Sequence, residues 1–100
     1  MNSGPIYVYI LRCADNSLYV GITDDIPTRL ELHNQGRGAR HTALHRPVHL
    51  AHKEGPLSLN EGIAREARLK RWSRAKKEAL VAGNLVRLHR LGKSRENQPR

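Results

Sequence analysis

Three tyrosines, an arginine, a histidine and a glutamate are the residues of this chain whose types and spacing could do chemistry together. All 3 tyrosines fall near the start, in Tyr7-Val8-Tyr9 and Tyr19-Val20-Gly21, within 100 residues that contain no phenylalanine. That concentration points to a polar site rather than to packing alone. Arg29 and His33 are spaced so that both project from one face of a helix. Glu66 lies in the basic run Arg65-Glu66-Ala67-Arg68-Leu69-Lys70. Hydrolysis of a phosphodiester needs a deprotonated water, a cation near the phosphoryl oxygens and help for the leaving oxygen. Glu66 can hold Mg²⁺ or Mn²⁺ where phosphate and waters complete the octahedron. Arg29 can grip phosphate oxygens in a planar fork. Tyr9 or Tyr19 can take the water's proton only where nearby cations favour the phenolate, since a phenol ordinarily titrates near pH ~10. His33 can orient or relay that proton.

The elements that must position these residues follow from local pattern. Ile6 to Arg12 reads as a strand and Leu18 to Ile22 as its partner, being rich in Ile, Val and Tyr. The loop between them is Ala14-Asp15-Asn16, with Asn16 in the left-handed position of a three-residue turn. An odd loop sets Cys13 opposite Ser17, Leu11 opposite Tyr19 and Tyr9 opposite Gly21. Tyr7, Tyr9 and Tyr19 then share one face. Ile6, Val8, Ile10, Leu18, Val20 and Ile22 fill the other, the expected core side. Gly21 opposite Tyr9 is expected to leave an open spot where a ligand approaches the backbone.

Thr23-Asp24-Asp25 caps a first helix with Pro27 in its first turn, carrying Ile26 and Leu30 inward and ending at Gly36. Gly36 to Pro47 reads as a basic loop, and Val48 to Lys53 as a third strand. Ser58-Leu59-Asn60-Glu61 has the spacing of a capping box and opens a second helix. Leu59, Ile63 and Ala67 are its expected core stripe. Gly62, one turn before Glu66, costs helix stability and is expected to leave room beside the carboxylate. Ser73 caps a third helix ending near Gly83, and Leu85 to Leu91 adds a short last one. The reading is an α+β domain over residues 5–91, a three-stranded antiparallel sheet flanked by helices in the order ββαβαα. Residues 92–100 are polar and expected to be a disordered basic tail.

Each chemical residue also has a plainer reading. Strand tyrosines often form cross-strand packing pairs. Arg29 could pair with Asp25, and Glu66 with Lys70, as ordinary helix-surface partners. His41, His45, His49 and His52 invite a metal reading, which is set aside. Arg46-Pro47 should break any helix that aligned them, and His49 and His52 would point to opposite faces of a strand.

Lys and Arg total 18 against 9 acids, a formal net charge of +9, which favours a polyanionic partner. Arg37, Arg40 and Arg46 in the basic loop, and Arg68, Lys70, Arg71, Arg74 and Lys77 further on, are the expected phosphate contacts. Such contacts confer affinity and salt dependence without sequence information. Cys13 is the only cysteine, which excludes an internal disulfide and a zinc site built of thiolates. The start lacks the pattern of a signal peptide, and no apolar stretch approaches the ~20 residues that cross a bilayer. The expectation is a cytoplasmic protein without membrane contact or small-molecule cofactor, a monomer or weak dimer.

The order of these motifs resembles the GIY-YIG endonuclease family, in particular its small stand-alone bacterial members, over roughly Pro5 to Gly83. Tyr7-Val8-Tyr9 stands for the first signature, with Tyr9 its tyrosine, and Tyr19-Val20-Gly21 for the second. Arg29 and His33 match the arginine and histidine of the following helix, and Glu66 the metal-binding glutamate. The first signature begins with Tyr7 where glycine is common. Many members carry asparagine about a dozen residues beyond the glutamate, where this chain has Glu78. The resemblance implies Mg²⁺- or Mn²⁺-dependent hydrolysis of DNA, structure-selective or weakly sequence-specific, in repair or processing, leaving 5′-phosphate and 3′-hydroxyl ends. It assigns Glu66 to the metal, Arg29 to the scissile phosphate, Tyr19 as base in preference to Tyr9, and Tyr9 and His33 as helpers. The alternative is a nucleic-acid-binding module that keeps the fold without useful turnover.

Overall fold

A computed structural model gives the structure of residues 4–92, so all but the first residue of the tail expected over 92–100 lies outside the described residues. Two strands come first, β1 (Ile6–Arg12) and β2 (Leu18–Thr23), then helices α1 (Ile26–Asn34) and α2 (Arg40–Leu44). The third strand, β3 (His49–Leu57), precedes α3 (Leu59–Lys70), α4 (Arg74–Ala82) and α5 (Leu85–Leu91). The sheet has three antiparallel strands in the order β2-β1-β3. The α+β class and antiparallel sheet are those expected, with α2 added to the order ββαβαα and α5 the short last helix expected over Leu85 to Leu91.

The hairpin register follows from its turn. Asn16 takes φ 73°, Cys13 N–H donates to Ser17 O at 2.9 Å, and Tyr9 pairs with Gly21 and Leu11 with Tyr19. The three tyrosines therefore fall on one face. That face is not open, however. Val8, Ile10, Val20 and Leu69 form one buried cluster, while Tyr9, Leu11, Cys13 and Val48 form a second on the opposite side. As the central strand, β1 is covered on both faces, which is why its apolar run is nearly continuous. The spot beside Gly21 is filled as well: an added Cβ there would meet the Tyr9 hydroxyl at 2.5 Å. This glycine accommodates the Tyr9 ring rather than a ligand.

The expected stripe of α3 is also corrected. Leu59 and Ile63 are 46% and 48% exposed, and Ala67 is exposed too, whereas Gly62 and Leu69 are buried. A Cβ at Gly62 would lie 2.7 Å from Ile6 Cγ2. The glycine thus lets α3 close onto the sheet, and its purpose is this approach rather than space beside Glu66. The capping box that starts α3 forms as expected: Glu61 N–H donates to Ser58 Oγ at 3.1 Å, and Ser58 N–H to Glu61 Oε1 at 2.9 Å.

Strand β3 runs four residues past the expected Lys53, to Leu57, through Gly55-Pro56. Its position at the sheet edge tolerates a residue without an N–H. Glu54 on this strand accepts two bonds from Arg65, at 2.7 and 2.9 Å, which joins β3 to α3. At the hairpin end, Arg12 grips both oxygens of Glu78, at 2.6 and 2.8 Å. Arg74 adds bonds to Asn16 O at 2.6 Å and to Glu78 at 3.2 Å, tying α4 to the turn. The same contacts hold the Glu78 carboxyl below the usual carboxylate range. Glu78, standing where the resemblance leads one to expect asparagine, is a structural clamp.

Candidate active site

The site is built on the tyrosine face of β1 and β2, roofed by α1 and α2. Asp25 caps α1 by accepting from Thr28 N–H at 3.2 Å and from Thr28 Oγ at 2.9 Å. Its carboxylate is therefore spent on the helix start, and no ion pair between Asp25 and Arg29 forms among the described residues. Two turns along, α1 delivers His33, only 1% exposed, onto the sheet. Gly38 backs the ring so closely that a Cβ there would overlap His33 Nδ1.

His33 sits in a chain of hydrogen bonds whose direction the partners decide. The Thr42 hydroxyl donates its single proton to Ala39 O at 2.9 Å. Its oxygen, 2.7 Å from His33 Nδ1, must then accept from Nδ1–H. Nε2 is left with its lone pair, and Tyr9 Oη, 2.9 Å away, donates to it. Burial, reinforced by the charges of Tyr19 and Glu66 and opposed by Arg29, pushes the Tyr9 phenol up to about 12. Burial first, then the Arg29 charge, pushes His33 below the ordinary imidazole value. Both groups are therefore neutral near pH 7, the phenol holding its proton and the imidazole lacking its second.

Tyr19 occupies a different environment. Its ring meets His33 edge-on, with centroids 5.4 Å apart, and stacks with His41 at 6.4 Å and 13°. It is half-buried, and its hydroxyl has no hydrogen-bond partner among the described residues. Glu66 lies half-buried on α3, its carboxylate 3.3 Å from Lys70 Nζ, the helix-surface pair that the plainer reading anticipates. Its charge nonetheless reaches Tyr9, as does that of Arg29, whose own side chain is exposed. Tyr9 thus feels the charges of Tyr19, Arg29 and Glu66, and His33 that of Arg29, although Glu66 comes from α3, which packs on the other side of the sheet. Tyr7, on the same face, lies further along β1 against Gly55.

The basic residues divide. Arg37, Arg40, Arg68 and Arg71 are exposed, as is Lys70 beside Glu66, and Lys77 is half-buried. Arg46 is occupied by Ala43 O at 3.2 Å and Asn34 O at 3.4 Å, and Arg74 by the clamp on Glu78. Lys76, in the same basic run, is buried with its ammonium 4.1 Å from the Trp72 ring centre, a cation–π contact. Thr42 and Gly38 were missed because the segment from Gly36 to Pro47 reads as loop, with no apolar period to mark α2.

Comparison with known families decides the relationship. The family model described as the GIY-YIG catalytic domain matches residues 5–79. The chain belongs to the GIY-YIG family. A UPF0213 protein of Staphylococcus aureus is 43% identical over 75 residues, covering 75% of this chain and 92% of its own. The solution NMR structure of UPF0213 protein BH0048 from Bacillus halodurans has TM-score 0.52 and 39% identity, over 79% of this chain and 84% of its own. That of EF2693 from E. faecalis has TM-score 0.56 and 34% identity, over 85% and 91%. The match spans the signature tyrosines, Arg29, His33 and Glu66, and Glu78 just inside its end. Among the described residues no helix is long and apolar enough to cross a membrane.

Proposed function

We propose that this chain is an endonuclease that hydrolyses phosphodiester bonds of DNA with Mg²⁺ or Mn²⁺. The observation that carries the reading is the buried Tyr9–His33 hydrogen bond within reach of the Arg29 and Glu66 charges, beside a Tyr19 hydroxyl that has no hydrogen-bond partner among the described residues.

Glu66 fits the metal role: it is a hard oxygen donor, half-exposed, and it pairs with Lys70, itself 52% exposed and free to swing away. A single carboxylate is the usual protein share of a Mg²⁺ site completed by phosphate and water. The ion, when bound, supplies charge stabilisation at the phosphoryl oxygens. The remaining roles belong to side chains. Arg29 clamps the scissile phosphate and stabilises its growing charge. Tyr9 is committed as a donor to His33, so it positions rather than accepts. The water's proton goes to Tyr19, whose hydroxyl is free to meet it. His33, edge-on to Tyr19 and fixed by Thr42, holds both rings in place.

Arg37, Arg40, Arg68, Lys70, Arg71 and Lys77 are the phosphate contacts of this reading, while Arg46 and Arg74 serve the fold first. The test compares wild type with Glu66→Ala and Arg29→Ala for binding and cleavage over duplex, branched and single-stranded DNA, with and without Mn²⁺. Unaltered cleavage by both variants refutes the enzyme reading. Binding by wild type without cleavage of any form favours a nucleic-acid-binding module.

A further inference from the structure

Where α2 meets the β1–β2 turn, the fold brings together groups that the nuclease reading does not use. Cys13, Asp15 and His41 offer ligand atoms that all lie within 4.8 Å of one another. His45 Nε2 is 3.3 Å from Asp15 Oδ2, and the rings of His41 and His45 lie 4.7 Å apart. We propose that Cys13, Asp15, His41 and His45 form a binding site for a borderline-soft divalent cation, Zn²⁺ being the natural occupant, which fastens α2 to the β1–β2 turn.

The chemistry of the donors supports this. Sulfur, imidazole and carboxylate together are a zinc-type set, unlike the all-oxygen set that Mg²⁺ prefers. His45 Nδ1 lies 2.9 Å from His41 O, a carbonyl that can only accept, so Nδ1 carries the proton. Nε2 then faces the carboxylate of Asp15 at 3.3 Å, a contact that either a second imidazole proton or a cation between the two groups completes. A backbone carbonyl holding the far nitrogen is how metal-binding histidines are commonly oriented. A thiolate and a carboxylate leave the occupied site itself neutral, and with one proton released from Cys13 the binding of a divalent ion adds a single positive charge to the chain.

The geometry is close to that required. Zn–S of ~2.3 Å and Zn–N of ~2.0–2.1 Å give tetrahedral edges of about 3.5 Å. The spread of Cys13, Asp15 and His41 exceeds this by roughly 1 Å, which rotation of the exposed Asp15 and His41 side chains closes, while His45 joins that group through Asp15. Ser17, which now bonds both Asp15 and His41 at 2.5 and 2.8 Å, is the group the ion would displace. One thiolate suffices here because other side-chain types supply the rest, which is why a count of cysteines alone excluded the site. The four-histidine spacing misled for the opposite reason: His49 and His52 lie on β3, while His41 and His45 share α2 and its end.

The site would matter to the catalytic face, since α2 also carries Thr42 under His33 and stacks His41 on Tyr19. It stands independently of the nuclease reading, and Co²⁺ tests it on the full chain. Wild type is expected to bind one equivalent, with sulfur-to-cobalt charge-transfer absorption and tetrahedral visible bands, displaced by Zn²⁺. Cys13→Ser should abolish the charge-transfer band, Asp15→Ala should weaken binding at least 10-fold, and Glu66→Ala should leave the spectrum unchanged. No charge-transfer band in wild type at stoichiometric Co²⁺ overturns the proposal. So does unchanged affinity in Asp15→Ala, an exposed turn position whose replacement leaves the core intact even if Cys13→Ser fails to fold.

Discussion

Replacing Thr42 by valine tests the direction of the hydrogen-bond chain beneath the site. Valine preserves the volume and branching of a fully buried side chain and removes only the hydroxyl. Ala39 O keeps its bond from Ala43 N–H at 3.0 Å, so that carbonyl stays satisfied. His33 Nδ1–H is the group left without a partner in a buried place, at a cost of about 1–3 kcal/mol. A domain of this size loses about 4–8 °C per kcal/mol, so the melting temperature should fall on the order of 10 °C.

There is a second consequence. The imidazole can escape the penalty by moving its proton to Nε2, and Tyr9 must then accept instead of donate. The phenol loses the bond that keeps its proton in place, and the Tyr9–His33 pair loses its fixed polarity. Thermal unfolding followed by circular dichroism measures the first effect, and spectrophotometric titration of tyrosinate the second. In wild type one tyrosine should titrate near 12, and its signal should vanish in Tyr9→Phe. In Thr42→Val that late titration should move, while Thr42→Ser should restore both readouts. A Thr42→Val protein as stable as wild type within about 0.3 kcal/mol, with the late tyrosine unmoved, refutes the assigned direction.

Three further outcomes follow from the geometry. Gly62→Ala should destabilise by up to about 2 kcal/mol in chemical denaturation, because overpacking against Ile6 outweighs a helix-propensity gain near 1 kcal/mol. Increased stability would show that α3 does not need this close approach. His33 has its folded value depressed below 6.5, so the unfolded chain binds more protons in that window. Stability should therefore fall as pH drops below about 6.5, and His33→Gln should flatten that segment of the profile measured by unfolding at stepped pH. Between pH 10 and about 12 the sign reverses, since folded Tyr9 keeps a proton that the unfolded chain loses, and stability should decline there less steeply in Tyr9→Phe.

The sequence disclosed most where backbone geometry depends on residue type nearby. The odd turn with Asn16 fixed the hairpin register, the Ser58–Glu61 box fixed the start of α3, and Ser73 and Gly83 bounded α4. Position-specific motifs singled out Tyr9, Tyr19, Arg29, His33 and Glu66 as one candidate set, which periodicity alone could not do. What stayed hidden depends on contacts made across the chain. Leu59, Ile63 and Ala67 repeat at helical spacing, yet the buried face of α3 is marked by Gly62, where a side chain is missing. The run of β3 past Lys53 was not foreseen, since a proline at position 56 is tolerated only because β3 lies at an edge, a property of the assembled sheet. Helix α2 has 5 residues and no apolar period, so neither it nor the support that Thr42 gives His33 could be foreseen. The role of Glu78 was equally invisible, since its partner Arg12 lies 66 residues away.

The nuclease assignment is tested most directly by single-turnover cleavage of a DNA panel in Mn²⁺ by wild type and Glu66→Ala, with binding measured in parallel. The prediction is metal-dependent cleavage by wild type and a loss of 10²-fold or more in Glu66→Ala, on the order of 2.7 kcal/mol of transition-state stabilisation, with affinity little changed. Equal cleavage rates for the two proteins would contradict it.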